Sequence, residues 1–418
     1  MKKFELLPVI LFCMLCMGFT EKTLQVATPT PIPVKTINSK LSVNNYADKF
    51  DAEGKNIYML SEGGYLVIGK GVTNNNQDTD ILLIKIDKNG KKVWSKYYGG
   101  EGYDAGFDLC SSIQGKDILI TGESEGKIVV MKIDLEGKLI WNNTYTYKEE
   151  SKSYGRYIFD SKDVYNVFTV SENDKDDLYC IAIDDEGKKI KSTIFGGKNS
   201  INIQSMTNKN TGNPILLGSI GYNAYIGEIL NNFTFKFTLF IDPYFNIGQF
   251  PDNELLKVGA SPSYIADASF DEKGLIAIAA FDSSDEDSFV LFRYDWENEK
   301  KAFTWLNRYS FSSIFNDERK TCNIYSLNKM LKLNDNNFIA VGKIGRKNAI
   351  TGEANGFIIK FNPEGKILFA KVYKEVDEFN GLVGSEDGNF VVFSNIKSSF
   401  NSDSISVMKF DTNGNRLW

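Results

Sequence analysis

The sequence predicts an all-β protein: a seven-bladed β-propeller of four-stranded antiparallel blades. Three observations carry that expectation. A short phrase returns at near-constant spacing, seven apolar strands of one shape accompany it, and helical periodicity is almost absent.

The phrase is Asp-x-x-Gly set between two apolar runs. It occurs at Asp87–Gly90, Asp134–Gly137, Asp184–Gly187 and Asp411–Gly414, with Asn362–Gly365 as a variant, and the first three copies lie 47 and 50 residues apart. The flanking runs read "ILLIKI" and "KKVWSKYY" in the first copy, "IVVMKI" and "KLIWNNTY" in the second. Two apolar runs joined by a short polar loop ending in Gly form a β-hairpin, with the glycine supplying the positive φ. The Asp suits a turn cap, because a carboxylate at the first position accepts nearby backbone N–H groups.

Upstream lies a strand of recurring shape: "GYLVIGKG" from Gly64, "DILITGES" from Asp117, "YNVFTVS" from Tyr165, "PILLGSI" from Pro214, "GLIAIAAF" from Gly274, "NFIAVGKI" from Asn337 and "NFVVFSNI" from Asn389. A weaker strand precedes each, such as "AGFDLCSSI" from Ala105. Four strands per unit and a period near 48 residues are those of a propeller blade. Closing seven units into a ring leaves no sheet edge open. The seventh blade reaches only the start of its outer strand at Trp418, so the ring is expected to close by pairing of its N- and C-terminal segments, with "KTINSKLSV" (Lys35 to Val43) filling the slot.

The first 19 residues, "MKKFELLPVILFCMLCMGF", read as a secretory leader: two lysines, then an apolar stretch too short for a comfortable membrane span. Cleavage after Gly18 and lipidation at Cys16 are the alternative fates. Residues 20–39 hold alternating Pro and Thr and form an extended linker, and residues 40–418 form the propeller. The expected location is extracytoplasmic, either secreted or tethered to a bacterial cell surface.

Composition narrows the chemistry. The 418 residues are 42% hydrophobic and 13% aromatic, enough for a large core with β preference. Net charge is −6 without a clustered basic face, which argues against nucleic acid. There is no histidine, so Ser-His-Asp and Cys-His nucleophiles and His-ligated zinc are excluded. Outside the leader, Cys110, Cys180 and Cys322 are scattered among strand-like residues and read as buried thiols.

The first blade, "GGYLVIGKG … DILLIKIDKNGKKVW", resembles the multi-blade propeller repeats of secreted and surface proteins of bacteria and archaea. It is more distantly similar to quinoprotein propellers, whose tryptophans lock neighbouring blades. That resemblance implies a blade-locking role for Trp94, Trp141 and Trp418, and it implies no quinone, because the adjacent cysteine pair of that class is missing.

In a propeller the loops between second and third strands share one face with the loops between blades. On that face fall Tyr103, Asp104, Tyr154 and Arg156, and the aromatic-rich insertions that contain Tyr244, Phe245, Phe250, Phe315 and Arg319. These form the candidate ligand-binding face, with packing of the loop aromatics into a local cluster as the favoured reading of the aromatics themselves. Acidic loops offer Asp78, Asp80, Asp174, Asp176, Asp285 and Asp287 as weak Ca²⁺ ligands without a complete calcium-loop spacing. No other cofactor is expected.

Two functional readings stand. One is a non-enzymatic module binding a protein or glycan at the cell surface, with aromatics and carboxylates suited to a neutral or amino sugar or a basic peptide. The other is a histidine-free glycoside hydrolase working through an Asp/Glu pair, although no catalytic residue can be singled out.

Overall fold

The computed structural model describes residues 35–37, 46, 51–73, 78–147, 151–161, 164–171, 177–196, 201–208, 213–221, 223–230, 234–241, 254–257, 263–280, 288–295, 303–315, 324–345, 354–396 and 404–418. The leader with Cys16 lies outside them, as does most of the linker.

Seven antiparallel sheets follow one another along the chain, and each begins at the axis and ends at the rim. The innermost strands are Ala52–Met59, Asp104–Ser111, Ser153–Ser161, Ile201–Asn208, Tyr264–Asp271, Ile324–Lys332 and Gly381–Gly384. The fold is a seven-bladed β-propeller. Its core is divided into seven hydrophobic clusters, one between each pair of neighbouring blades. The third strands, such as Asp78–Ile86, therefore bury both faces, and for this reason the "ILLI" of "ILLIKI" is a continuous apolar run and does not alternate.

The Asp-x-x-Gly phrase is a turn that caps itself. Asp87 Oδ1 accepts the N–H groups of Asn89 and Lys91 at 2.9 and 2.8 Å, and Asp134 and Asp411 repeat the pattern. The glycines have φ of 83°, 72°, 78° and 70° at Gly90, Gly137, Gly187 and Gly414. These aspartates serve the turns.

The same turns lock the blades together. Each is overlaid by an aromatic from the outer strand of the preceding blade: Trp94 over Gly137, Trp141 over Gly187, Trp305 over Gly365 and Phe369 over Gly414. Four residues further along the same strand a tyrosine hydroxyl donates to that glycine's carbonyl: Tyr98 to Gly137, Tyr145 to Gly187, Tyr309 to Gly365 and Tyr373 to Gly414. The implied role of the tryptophans is thus observed.

Closure differs in detail from the sequence expectation. Lys35–Ile37 does not enter blade seven; it pairs in parallel with the outer strand of blade six, Ile367–Tyr373. Blade seven's sheet has three strands. At the outer edge of Ser404–Phe410, Trp418 C=O and Leu417 N–H bond to Lys409, and Tyr46 N–H bonds to Ile405 C=O at 3.0 Å. Trp418 lies over Gly90 of blade one, and Tyr46 donates its hydroxyl to the Gly90 carbonyl. The front of the chain does complete the seventh blade, but it does so at Tyr46. Lys35–Ile37 finds a free edge one blade earlier, while the near end of the seventh slot is already taken by Trp418.

Blade four also gains a strand. Glu254–Lys257, within the long insertion, pairs in parallel with Phe235–Ile241. Among the described residues no helix is long and apolar enough to cross a membrane.

Candidate functional site: the axial cavity

Six innermost strands carry a β-bulge at the same level. Pairing with the second strand skips one residue between Gly54 and Asn56, Gly106 and Asp108, Gly155 and Tyr157, Ile203 and Ser205, Ile265 and Asp267, and Leu327 and Lys329. The extra residues are Lys55, Phe107, Arg156, Gln204, Ala266 and Asn328. A bulge leaves its extra residue out of the ladder and re-aims the side chain. Here all six line one axial cavity of about 230 Å³, with Asn380 and Asn395 contributing from blade seven. A second cavity of about 300 Å³ adjoins it at Gln204, Leu327 and Asn328, toward Ser263 and Tyr264. Both are lined by residues from the first halves of the innermost strands, next to the inter-blade loops that lead into them.

The repeated glycine of the second strand makes the bulge possible. A Cβ on Gly69, Gly122, Gly218 or Gly342 would lie 1.9–2.0 Å from a backbone carbonyl oxygen of the bulged strand. That oxygen cannot move aside without losing the bulge, so the "VIGK", "ITGES", "LLGS" and "AVGK" glycines mark the cavity wall.

The cavity wall carries charge of both signs. Lys55 forms an ion pair with Glu53, and Lys70 joins Glu53 at 3.4 Å. Burial works to raise the Glu53 carboxyl, but Lys55 and Lys70 hold it below the usual range. The Phe107 ring carries the Lys55 ammonium 5.9 Å from its centroid and the Arg156 guanidinium at 5.8 Å, and it stacks on Tyr154 at 4.8 Å. Arg156 also lies 5.5 Å from the Tyr157 ring centroid and has no carboxylate in ion-pair reach among the described residues. Lys329 Nζ donates to Ser205 Oγ at 2.9 Å. Burial lowers the Lys329 ammonium's affinity for its proton, yet Asp267, Tyr157 and Asp108 together hold it above the usual range.

Two carboxylates stand just behind this wall, both buried. Asp108 accepts from Asn56 Nδ2 at 2.6 Å and from Ile158 N–H at 3.0 Å, joining blades one, two and three. Asp267 accepts from Ser205 Oγ at 2.6 Å and from Met330 N–H at 2.7 Å, joining blades four, five and six. Burial pushes the Asp108 carboxyl up despite those bonds. Their oxygens are engaged in holding the ring. Between blades seven and one, Asn395 accepts the Gly54 N–H at 2.7 Å and donates to the Gly54 carbonyl at 3.0 Å.

Of the residues expected on this face, Tyr154 and Arg156 meet at Phe107. Tyr103 is exposed at the rim, with Lys70 5.3 Å from its ring centroid. Asp104 is buried and accepts the Gly100 N–H at 3.1 Å, so it fastens a loop and does not floor a site. Phe315 packs between Phe311 and Phe357, with centroids 6.4 and 5.6 Å away, as part of the core between blades five and six. Tyr244, Phe245, Phe250 and Arg319 lie outside the described residues, as do Asp174, Asp176, Asp285 and Asp287. Asp78 and Asp80 are half-exposed at the start of their strand. No group of three or more carboxylate or thiol side chains placed to hold a metal occurs among the described residues. Sequence reading missed Lys55, Phe107, Gln204, Asn328 and Lys329. Their signal was the second-strand glycine, legible in four blades.

No protein-family model and no curated sequence matches the chain. Solved structures do. A candidate 6-phosphogluconolactonase from Bacteroides fragilis superposes with a TM-score of 0.52 at 12% identity, covering 85% of this chain and 94% of that one. A second candidate 6-phosphogluconolactonase, from Bacteroides uniformis, gives 0.51 at 12% identity over 84% and 93%. The β-propeller domain of the Trilobed protease from Pyrococcus furiosus gives 0.46 at 11% identity over 88% and 98%. At these identities the likeness is one of fold.

Proposed function

We propose that this protein is an exported, non-enzymatic binding module whose ligand enters the axial cavity. The observation that carries the reading is the ring of six bulges, because every blade from one to six turns its extra residue into the same 230 Å³ space. Six local departures from regular pairing at one level build a single lined pocket. Export is supported by the leader-like N-terminus and the Pro/Thr linker.

The hydrolase reading needs a carboxyl pair free to act as acid and as base or nucleophile. The carboxylates nearest the cavity are engaged otherwise: Asp108 and Asp267 with backbone and side-chain donors, Glu53 with lysines. That commitment favours binding over hydrolysis.

The test is a glycan, peptide and metabolite binding screen on the mature chain, repeated with Ala266→Trp, which plugs the cavity from blade five. Binding to the parent and loss in a folded Ala266→Trp variant supports the site, and Ala266→Leu serves if the larger side chain prevents folding. Ligands that bind both proteins alike would place binding elsewhere. Turnover of a glycoside, or of 6-phosphogluconolactone, the compound after which the two Bacteroides propellers are named, would overturn the non-enzymatic reading.

A further inference from the structure

Resting on that reading of the cavity, we infer that the ligand is a small molecule bearing a carboxylate or phosphate group, received by Arg156 and Lys329 with its uncharged part against Phe107.

The inference starts from which charges in the wall are already matched. Lys55 is matched by Glu53 within the cavity. Lys329 has Asp267 and Asp108 nearby, but neither lies within ion-pair distance of its nitrogen. Arg156 lies against ring faces, with Phe107 below it, Tyr157 beside it and Tyr154 in the same stack, and Asp108, its nearby carboxylate, forms no ion pair with it. A guanidinium held on ring faces keeps its donor edges in a plane, and two parallel N–H groups of that edge fit a carboxylate or phosphate bidentately.

Arg156 and Lys329 also repel each other. An anion set between them relieves that repulsion and exchanges water for charge-assisted hydrogen bonds, whereas a neutral sugar gains only the hydrogen bonds. A cationic peptide group would add a third positive charge to the same space. In place of the neutral or amino sugar or basic peptide expected from aromatics and carboxylates on the loop face, the ligand carries an anionic group. Gln204 and Asn328 add amides to the same wall, and Phe107 stacked on Tyr154 provides an apolar plane for the carbon skeleton.

A negatively charged protein reaches this arrangement locally. The net charge of −6 is spread over the whole chain, while the positive groups concentrate in a narrow cavity. A polymer of phosphates cannot follow them inside, so the site selects a small anion or the tip of one.

The experiment uses the full mature chain at fixed ionic strength, titrated with glucuronate, citrate, inorganic phosphate and, as the neutral counterpart, glucose, read by calorimetry and by thermal midpoint. At least one anion should bind saturably and raise the midpoint, with glucose about tenfold weaker or silent. Arg156→Gln should weaken that anion by about tenfold or more, the scale of one lost charge-assisted bidentate contact, and leave the unliganded midpoint in place. Lys329→Met should weaken it further. Equal binding of glucose and glucuronate, unchanged in Arg156→Gln but lost in Ala266→Trp, would overturn the anion assignment and leave the cavity as the binding site. Anion binding that persists unchanged in Ala266→Trp would overturn both.

Discussion

The Tyr46 hydroxyl donates to the carbonyl of Gly90 at 2.6 Å, 44 residues away. Tyr98, Tyr309 and Tyr373 make the same bond, at the same length, to the turn glycine of the following blade. In those blades the tyrosine comes four residues after an aromatic on one continuous outer strand. In blade seven the aromatic is Trp418 and the tyrosine comes from the opposite end of the chain. One latch is thus assembled from the two ends.

Tyr46 should therefore matter far more to stability than its place near the front of the chain suggests. Tyr46→Phe removes one hydrogen bond and should cost about 0.5–1.5 kcal/mol. Tyr46→Ala also empties a buried aromatic site between blades seven and one and should cost about 3–5 kcal/mol. Removing residues up to Ile37 should cost less than Tyr46→Ala, because blade six keeps its four antiparallel strands. Denaturant melts of the three variants check the order, and the reverse order would show that Lys35–Ile37 holds the ring.

Gly122→Ala tests the bulges. The new Cβ would lie 2.0 Å from the Ala105 carbonyl oxygen, a contact that only a backbone shift relieves. Overpacking of this kind costs about 1–3 kcal/mol, and here it should also disturb the Phe107 bulge. Binding at the axial cavity should fall more than after a core substitution of equal cost, such as Ile133→Val. Equal losses would disconnect the glycine from the site.

Stability should fall in acid, with a definite sign. Burial raises the carboxyls of Asp271, Asp335 and Asp387, but Arg293, Lys360 and Lys409 respectively hold them below the ordinary value. A depressed carboxyl stabilises the fold above its unfolded pKa, about 4, and that contribution is lost as pH falls through the lower folded value. The thermal midpoint should drop steeply below about pH 4. Asp108 acts in the opposite sense, because its raised carboxyl favours the protonated folded state in acid and costs stability once ionised, so the loss caused by Asp108→Asn should be greater in acid than at neutral pH. Thermal scans from pH 3 to 8 on both proteins decide it.

Cys110 and Cys180 are buried, and burial pushes both thiols up. Thiolate is the reactive form, so neither should be alkylated at pH 8 in the native state, and both should label fully in denaturant. Peptide mapping after brief iodoacetamide treatment tests this. Rapid native labelling at Cys110 would mean that the interface of blades two and three opens.

The sequence determined by itself whatever repeats. Hairpins, turn caps, buried third strands and blade-locking aromatics follow from local pattern, since each blade solves the same packing problem with the same residue types. Arg156 and Tyr154 were legible on the face of the inter-blade loops because they stand where such a loop enters an innermost strand. The tertiary structure decided what depends on departures from the pattern and on residues far apart in the chain. The bulges that turn Lys55, Phe107 and Arg156 inward reverse the side-chain alternation on which strand reading rests, by one residue per strand. Whether a carboxylate is catalytic or structural was likewise undecidable from its neighbours in sequence. Asp108 and Asp267 owe their roles to Ile158 and Met330, 50 and 63 residues away, and Phe315 became a core residue through Phe357. Closure at Tyr46 and not at Lys35 rested on a hydrogen-bond register between the two ends of the chain, which exists only once the ring has formed.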